Sequence, residues 1–524
     1  MSIARKILMS SAGKKDSTYI DDVFSTYVYN GNQTAGHTIT NGIDLTKGGL
    51  VWFKTRNQNW NHALIDSETG ISKFLQLPPN SGTVNQTTAL TSFDNNGFTL
   101  GTDSNYGITN SSNGEYTSWT FRKQKGFFDV VTYTGNGTAG RTVSHSLGCK
   151  PGMIIIKNLD SSEDWRVYHH SLGGTHNLLL NTNEAVAAST TVFNNTDPTA
   201  SVFTVGTSDA TNKNGDSFVA YLFAGGDTGY TSVDFDGDDY ISVASSSDLT
   251  LGTGDFAIEF WAYPDNFTNR GTFYDSRPSG GNTGITIGHE ATSGEIRVYM
   301  NAGHGGDIIV QSSDFNTNAW QHIAVTRDSG TVRLFIGGVL KDTASSTSRN
   351  LNNTNAVNIG YKTYTSSGYN YFDGKISNLR VVKGSAVHTS AFTPSTTPLN
   401  TITNTVLLCC NEQGATAATK TPTPITASGN PVKSSDNPFG SNPSKAYEFG
   451  AEGDQNVIKC GSYVGNSTAN HEIYVGWEPQ WWLVKNITDA QNWQLLDSMR
   501  GWVYDSDDEY LVPNSTTSEG TFNF

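Results

Sequence analysis

The chain runs to 524 residues with 54 glycines, only 15% charged side chains and a formal net charge of -15. That length exceeds what one compact core holds and implies roughly three to four domains. An acidic field of this size repels a phosphate backbone, which excludes nucleic acid as a partner, and no stretch is apolar over the length needed to cross a bilayer. Ser, Thr, Asn and Gly fill the spaces between short Val, Ile, Phe, Tyr and Trp runs, a strand-and-turn composition. The apolar segment of Met1–Met9 stops at Ser10, too soon for a signal-peptide core, so the chain is expected to be made in a host cytoplasm and not exported by the standard route. Cys149, Cys409, Cys410 and Cys460 are too scattered for a disulfide framework or a zinc spacing, and read as four buried thiols.

Residues 1–25 form an N-terminal arm suited to docking by strand addition. A repeat follows. Tyr29, Gly31, Asn32, Thr34 and Ala35 recur as Tyr133, Gly135, Asn136, Thr138 and Ala139, and again as Tyr463, Gly465, Asn466, Thr468 and Ala469. Downstream of each motif comes an apolar strand ending in Lys (Lys54, Lys157, Lys485), then a polar loop carrying a Trp (Trp60, Trp165, Trp493). The spacing predicts β-sandwich repeats over 26–125 and 126–226, and a third over 447–524 that stops before its closing strands. The expectation is therefore a polypeptide that continues past residue 524, with its sandwiches strung out and in little mutual contact.

Between the second and third copies the pattern changes. Ser232–Val243 (SVDFDGDDYISV), Phe256–Pro264 (FAIEFWAYP), Trp320–Leu340 (WQHIAVTRDSGTVRLFIGGVL) and Phe372–Val382 (FDGKISNLRVV) are alternating strands, the third of them a hairpin turning at Asp328-Ser329-Gly330. Over 227–412 this order resembles the concanavalin A-like, laminin-G-type domain, which implies a jelly roll of two packed sheets. The ending from Val382 to Glu412 resembles a version of that module common in tail proteins of marine phages, and the flanking repeats resemble a domain found in proteins of cyanophages. The whole is expected to be all-β: tandem β-sandwich domains with an inserted concanavalin A-like jelly roll. Residues 413–446, rich in Pro, Thr, Ser and Gly, read as an extended linker.

Chemistry-bearing groups are sparse. Glycanases of the concanavalin-like fold set paired acids on one strand, whereas Phe256–Pro264 carries Glu259 alone, expected on a solvated face. His169, His170 and His176 read as a polar loop rather than metal ligands. Asp236, Asp238 and Asp239 are the calcium candidates that the laminin-G resemblance implies, against a plain turn before Tyr240. Tyr361, Tyr364, Tyr369 and Tyr371 are the glycan-binding candidates, since rings stack on pyranose faces; ordinary packing at the sandwich end is the competing reading.

The expected function is that of a phage virion protein, a tail fibre or tail-associated protein without enzymatic activity. It would bind other virion proteins through its arm and host cell-surface glycans through its modules, as a homo-oligomer, with a trimer favoured. No cofactor beyond the calcium candidate is expected. The alternatives are a capsid-surface decoration protein, a bacterial adhesin, and a polysaccharide-degrading tailspike.

Overall fold

The computed structural model describes residues 17–522 apart from 104–105, 227–229, 278–282, 301–307, 346–348, 353–354, 364–370, 413, 417, 441–446, 448, 451–456, 464, 466–472, 474, 476 and 502–507. Residues 1–16 of the arm thus lie outside the described residues. The chain divides into two units: residues 1–227, 443–460 and 477–524 form one, and residues 228–442 and 461–476 the other.

In the first unit, lobe 1 contains β1 (Phe24–Asn30), β2 (His37–Thr40), β3 (Gly49–Thr55), β4 (His62–Asp66), β5 (Lys73–Leu77), β6 (Val84–Asn85), β7 (Leu90–Asp94), β8 (Gly97–Leu100) and β9 (Glu115–Arg122). A six-stranded sheet runs β1-β9-β3-β4-β5-β6, and a small sheet β2-β8-β7 makes a second layer. Lobe 2 repeats the plan with β10 (Phe128–Thr134), β11 (Arg141–Ser144), β12 (Met153–Asn158), β13 (Arg166–His169), β14 (His176–Leu179), β15 (Ala187–Ala188), β16 (Val202–Val205) and β17 (Ser217–Phe223). Its sheets run β10-β17-β12-β13-β14-β15 and β11-β16.

The repeated motif is structural. A side chain at Gly31 would put its Cβ 2.1 Å from the Ser111 carbonyl oxygen, and one at Gly135 would lie 2.0 Å from that of Lys213, so only glycine admits the close backbone approach. The motif tyrosines tie the same loops down, Tyr29 donating to the Thr109 carbonyl at 2.8 Å and Tyr133 to that of Thr211 at 2.7 Å. Asn32 and Asn136 each accept the amide of the Thr two residues on, an Asx turn.

The large sheets bury both faces, which explains their unbroken apolar runs. Leu50 and Trp52 of β3, with Met153 and Ile155 of β12, point into one common core. Their neighbours Val51 and Phe53 pack under lobe 1's small sheet, and Ile154 and Ile156 under lobe 2's.

The second unit contains β18 (Ser232–Asp236), β19 (Tyr240–Val243), β20 (Phe256–Pro264), β21 (Gly271–Asp275), β22 (Ile285–His289), β23 (Ile296–Met300), β24 (Ile308–Ser312), β25 (Gln321–Asp328), β26 (Thr331–Ile336), β27 (Val339–Ser345), β28 (Val357–Ile359), β29 (Asp373–Lys383), β30 (Thr405–Cys409), β31 (Ala418–Lys420), β32 (Ile425–Ser428) and β33 (Val432–Ser434). Two sheets face each other across a core of Phe256, Ile258, Phe260, Ile323, Val325 and their neighbours. One runs β27-β26-β25-β20-β29-β18-β33, with β30 also on β29 and β31 on β30; the other runs β24-β23-β22-β21-β28-β19-β32. The unit is a jelly roll of two antiparallel sheets. Ser329 (φ 47°) and Gly330 (φ 78°) make its hairpin turn left-handed, as the sequence predicts.

The expected linker, 413–446, instead joins this unit as far as residue 442. β32 and β33 add to the outer edges of both sheets, on β19 and β18. An edge strand is held by backbone donors and acceptors, so a Thr/Ser-rich sequence qualifies even with Val432 largely exposed.

Lobe 3 contains β34 (Trp481–Val484), β35 (Gln494–Asp497), β36 (Asp508–Tyr510) and β37 (Gly520–Phe522). Registers identify these as counterparts of β3 to β6. Leu50 pairs with Asp66, Met153 with His169 and Trp481 with Asp497. Trp481, Leu483, Trp493, Leu495 and Leu511 enter the common core of lobes 1 and 2, so the three copies are not strung out. Three seams repeat cyclically. His62 meets the Val512 carbonyl of lobe 3 at 3.2 Å, Trp165 donates to that of Pro79 in lobe 1 at 3.2 Å, and Trp493 to that of Leu179 in lobe 2 at 2.7 Å. Backbone bonds follow the same cycle: Thr83 to Leu159, Val186 to Ile487 and Glu519 to Arg56, each acceptor two residues past the repeated Lys.

Candidate functional site

The jelly-roll strands alternate, so β20 sends Ile258, Phe260 and Ala262 into the core and turns Glu259, Trp261 and Tyr263 to the opposite face. Residues 385–404 lie across that face. His388 accepts from the Thr326 hydroxyl through its carbonyl, Phe392 donates its amide to Gly338, and Asn400 accepts from Arg380. This strap explains why Glu259 is 2% exposed rather than on a solvated face.

Burying a carboxylate without partners would cost several kcal/mol. Here one oxygen takes Arg380 at 2.6 Å, and the other takes His322 at 3.3 Å and His388 at 3.2 Å. Against the cost of burial, the hydrogen bonds of both histidines and the Arg380 charge hold Glu259 well below the ordinary carboxylate range. Burial pushes His322 down, with Glu259 opposing. The imidazole of His388 stacks on Phe392 at 3.5 Å between centroids.

Beside this cluster a cleft of about 340 Å³ opens between Trp261, Trp320, His322, Lys341 and Pro394. Trp261 is held edge-on to Phe439 at 4.8 Å and to His322 at 4.4 Å. The half-buried Trp320 is fixed by its indole N–H on Asp436 at 3.2 Å. Asp314 and Lys341 pair across the rim at 2.8 Å. Trp261 is buried at the base of the cleft, and the half-buried Trp320 with its polar rim makes a surface on which a pyranose ring can stack while its hydroxyls reach hydrogen-bonding groups. The sequence signal was present in Trp261 and Trp320, but their convergence depends on β20 and β25 being paired.

The predicted site residues fall elsewhere. Tyr361 and Tyr371 pair across an isolated bridge with rings 4.6 Å apart, and Tyr240 stacks on Tyr361 at 4.8 Å; these rings pack on one another. Tyr364 and Tyr369 lie outside the described residues. Asp236, Asp238 and Asp239 sit at the turn between β18 and β19, where the Asp239 carboxylate accepts the Asp236 amide. Burial and the nearby Asp236 charge push Asp239 up to about 6. Among the described residues no group of three His, Cys, Asp or Glu is placed to hold a metal ion. His169 ends β13 and His176 begins β14, so these two belong to strands and not to a polar loop, and His170 is buried in the turn after β13. Cys149, Cys409 and Cys410 are buried and Cys460 half-buried, all as free thiols.

Fold and registers define a concanavalin A-like unit, and residues 235–389 match the concanavalin A-like lectin/glucanases superfamily. The rest places the whole chain: residues 20–239 and 374–524 match the family described as Domain of unknown function (DUF7483), to which this protein belongs. No curated protein matches the chain. Among solved structures it is similar to a heptameric SAP-like pentraxin from Limulus polyphemus, at 13% identity over 40% of this chain and 97% of that one, with a TM-score of 0.31. It is also similar to domain 4 of AbnA, a GH43 extracellular arabinanase from Geobacillus stearothermophilus, at 17% identity over 30% and 72%, with a TM-score of 0.25. A third is the IT-sialidase CBM40 from Ruminococcus gnavus, at 10% identity over 30% and 91%, with a TM-score of 0.25.

Proposed function

We propose that this chain is a glycan-binding structural protein of a phage virion, without catalytic activity. The observation that carries the binding reading is the Trp261/Trp320 cleft on the outward face of a lectin-type sheet. The neighbouring Glu259 favours binding over hydrolysis. A glycosidase acid must gain and lose a proton near neutral pH, and this carboxylate is held ionised by three partners. The virion assignment rests on the resemblance of the flanking repeats to marine-phage proteins. In this reading the arm docks on tail proteins, the jelly roll meets host-surface sugars, and a homotrimer raises a modest affinity by about 10²–10⁴ through avidity.

Full-length protein on a glycan array tests the binding. Saturable binding that Trp320→Ala weakens about tenfold, the loss of roughly 1.4 kcal/mol of stacking, is the expected result. Binding that ignores Trp320→Ala, or no glycan bound at all, would count against the cleft. Labelled antibody on particles locates the chain on tail or capsid, and light scattering reads the oligomer.

A further inference from the structure

The outward face of the jelly roll continues the Trp320 surface across the sheet. Trp320 directly precedes β25, whose first residue Gln321 pairs with Ala262, so the indole falls in line with Tyr263 of β20. Tyr263 pairs in turn with Lys375 of β29, and Lys375 with Asp234 of β18. The line therefore runs from the start of β25 across β20 and β29 to β18. Neighbouring strands lie about 4.8 Å apart, so its side chains follow one another at close to the repeat of pyranose rings in a chain. All four are half-buried, each with part of its side chain open to solvent.

The contacts along the line suit a chain of hydroxyls. The Tyr263 and Trp320 ring centroids are 5.6 Å apart, so the two make one continuous aromatic surface. Lys375 sets its ammonium 5.0 Å from the centre of the Tyr263 ring, between Asp234 at 3.8 Å and Asp265 at 3.7 Å. Ion pairs this long leave an ammonium and carboxylates with hydrogen-bonding capacity to spare. The carboxylates of Asp234, Asp265, Asp314, Asp373 and Asp436 adjoin this line, against the ammoniums of Lys341 and Lys375. Burial pushes Asp234 up; Lys375 opposes the rise, and Asp265, Asp373 and Asp436 add to it. Glu259 and Arg380 cancel each other beneath the strap. A field of this sign repels a ligand that carries carboxylate or sulfate groups.

Resting on the glycan-binding reading of the cleft, we propose that the line is a groove for a neutral polysaccharide segment. One ring stacks on Trp320 and the next on Tyr263, while Lys375 and Asp234 take the hydroxyls beyond; acidic glycans are turned away. A single terminal sugar on Trp320 leaves Tyr263 and Lys375 unused, so affinity grows with chain length until the line is filled.

Full-length protein on an array of neutral, uronate-bearing, sialylated and sulfated glycans, each in several chain lengths, reads both parts of the proposal. The bound glycans should be free of acidic groups. Calorimetry on the best neutral series should show affinity rising about tenfold from its shortest bound member to its longest. Tyr263→Ala should weaken the longest about fivefold and the shortest less than about twofold, with the urea midpoint nearly unchanged. Trp320→Ala should weaken both. Asp234→Asn together with Asp265→Asn should bring a uronate-bearing chain close to the affinity of its neutral counterpart. If a variant fails to fold, the array and the length series on the unaltered chain still decide. An acidic glycan bound more tightly than its neutral counterpart, or a Tyr263→Ala loss equal at both lengths, would overturn the groove and leave the cleft reading standing. Binding to no glycan would overturn both.

Discussion

Two buried clusters, one in each unit, keep ionisable groups by opposite means. On the outward face of the jelly roll, Glu259 stays charged because Arg380, His322 and His388 converge on it. In lobe 2, burial pushes His169 down to about 3 and His170 to about 4, so both stay neutral. His62 in lobe 1 follows the second course. Its Nδ1 accepts the Trp52 indole N–H at 3.0 Å, which leaves Nε2 to carry the proton donated to Val512. A compensated charge depends on all its partners, whereas a neutral imidazole depends on pH. The Glu259 cluster is therefore brittle to substitution, and the His169/His170 pair to acid.

The sharpest way to break this comparison is Arg380→Leu. It strands a 2%-exposed carboxylate and should cost about 3–5 kcal/mol in urea unfolding of the jelly roll, with Glu259→Gln in the same chain recovering much of it. A loss under about 1 kcal/mol would show that the cluster is not holding the strap. Acid supplies the next effect. An unfolded histidine titrates near 6.5 and folded His170 near 4, so between those values the unfolded chain binds the extra proton. The contribution is complete above about pH 6.5 and drains as pH falls. Between pH 7 and pH 5 the first unit should lose roughly 2 kcal/mol through His170 alone, and His170→Gln should flatten that slope. Glu259, with its folded pKa depressed, gives stability present above the unfolded carboxylate value and lost only in stronger acid. His289 of the jelly roll, which burial also pushes down to about 4, should drain its own unit over the same range, and His289→Gln should flatten that loss.

How far the sequence revealed this depended on the range of each interaction. The repeat was legible because Gly31, Asn32 and Tyr29 recur as the same residue types in each copy, even though Tyr29 and Gly31 act on the distant Thr109 and Ser111. The jelly-roll hairpin was legible because its turn, at Ser329 and Gly330, is local. Glu259 was misjudged because its partner Arg380 is 121 residues away and its cover is a strap without regular structure. The 413–446 segment was misjudged because edge pairing uses backbone groups that composition does not show. The shared core of three copies did leave a trace: the unbroken runs Leu50–Phe53 and Met153–Ile156 belong to strands covered on both faces, not to the alternating strands of an isolated sandwich. The cleft was the least legible, since Trp261 and Trp320 meet only through the β20–β25 ladder.

The smallest effect concerns the seams themselves. Trp165 and Trp493 make the same contact one lobe apart, each indole N–H meeting a carbonyl of the preceding lobe. Replacing either by Phe keeps most of the buried area but leaves that carbonyl without its donor, a loss of about 0.5–1.5 kcal/mol. The two should not be equal. The Trp493 bond is 2.7 Å long and buried, so no water can replace the lost donor; the Trp165 bond is 3.2 Å and only partly buried, so Pro79 can turn to solvent. Trp493→Phe should therefore lower the urea midpoint more than Trp165→Phe, with the slope of the transition unchanged in both. If Trp165→Phe proves the costlier, the seams differ in packing rather than in hydrogen bonding.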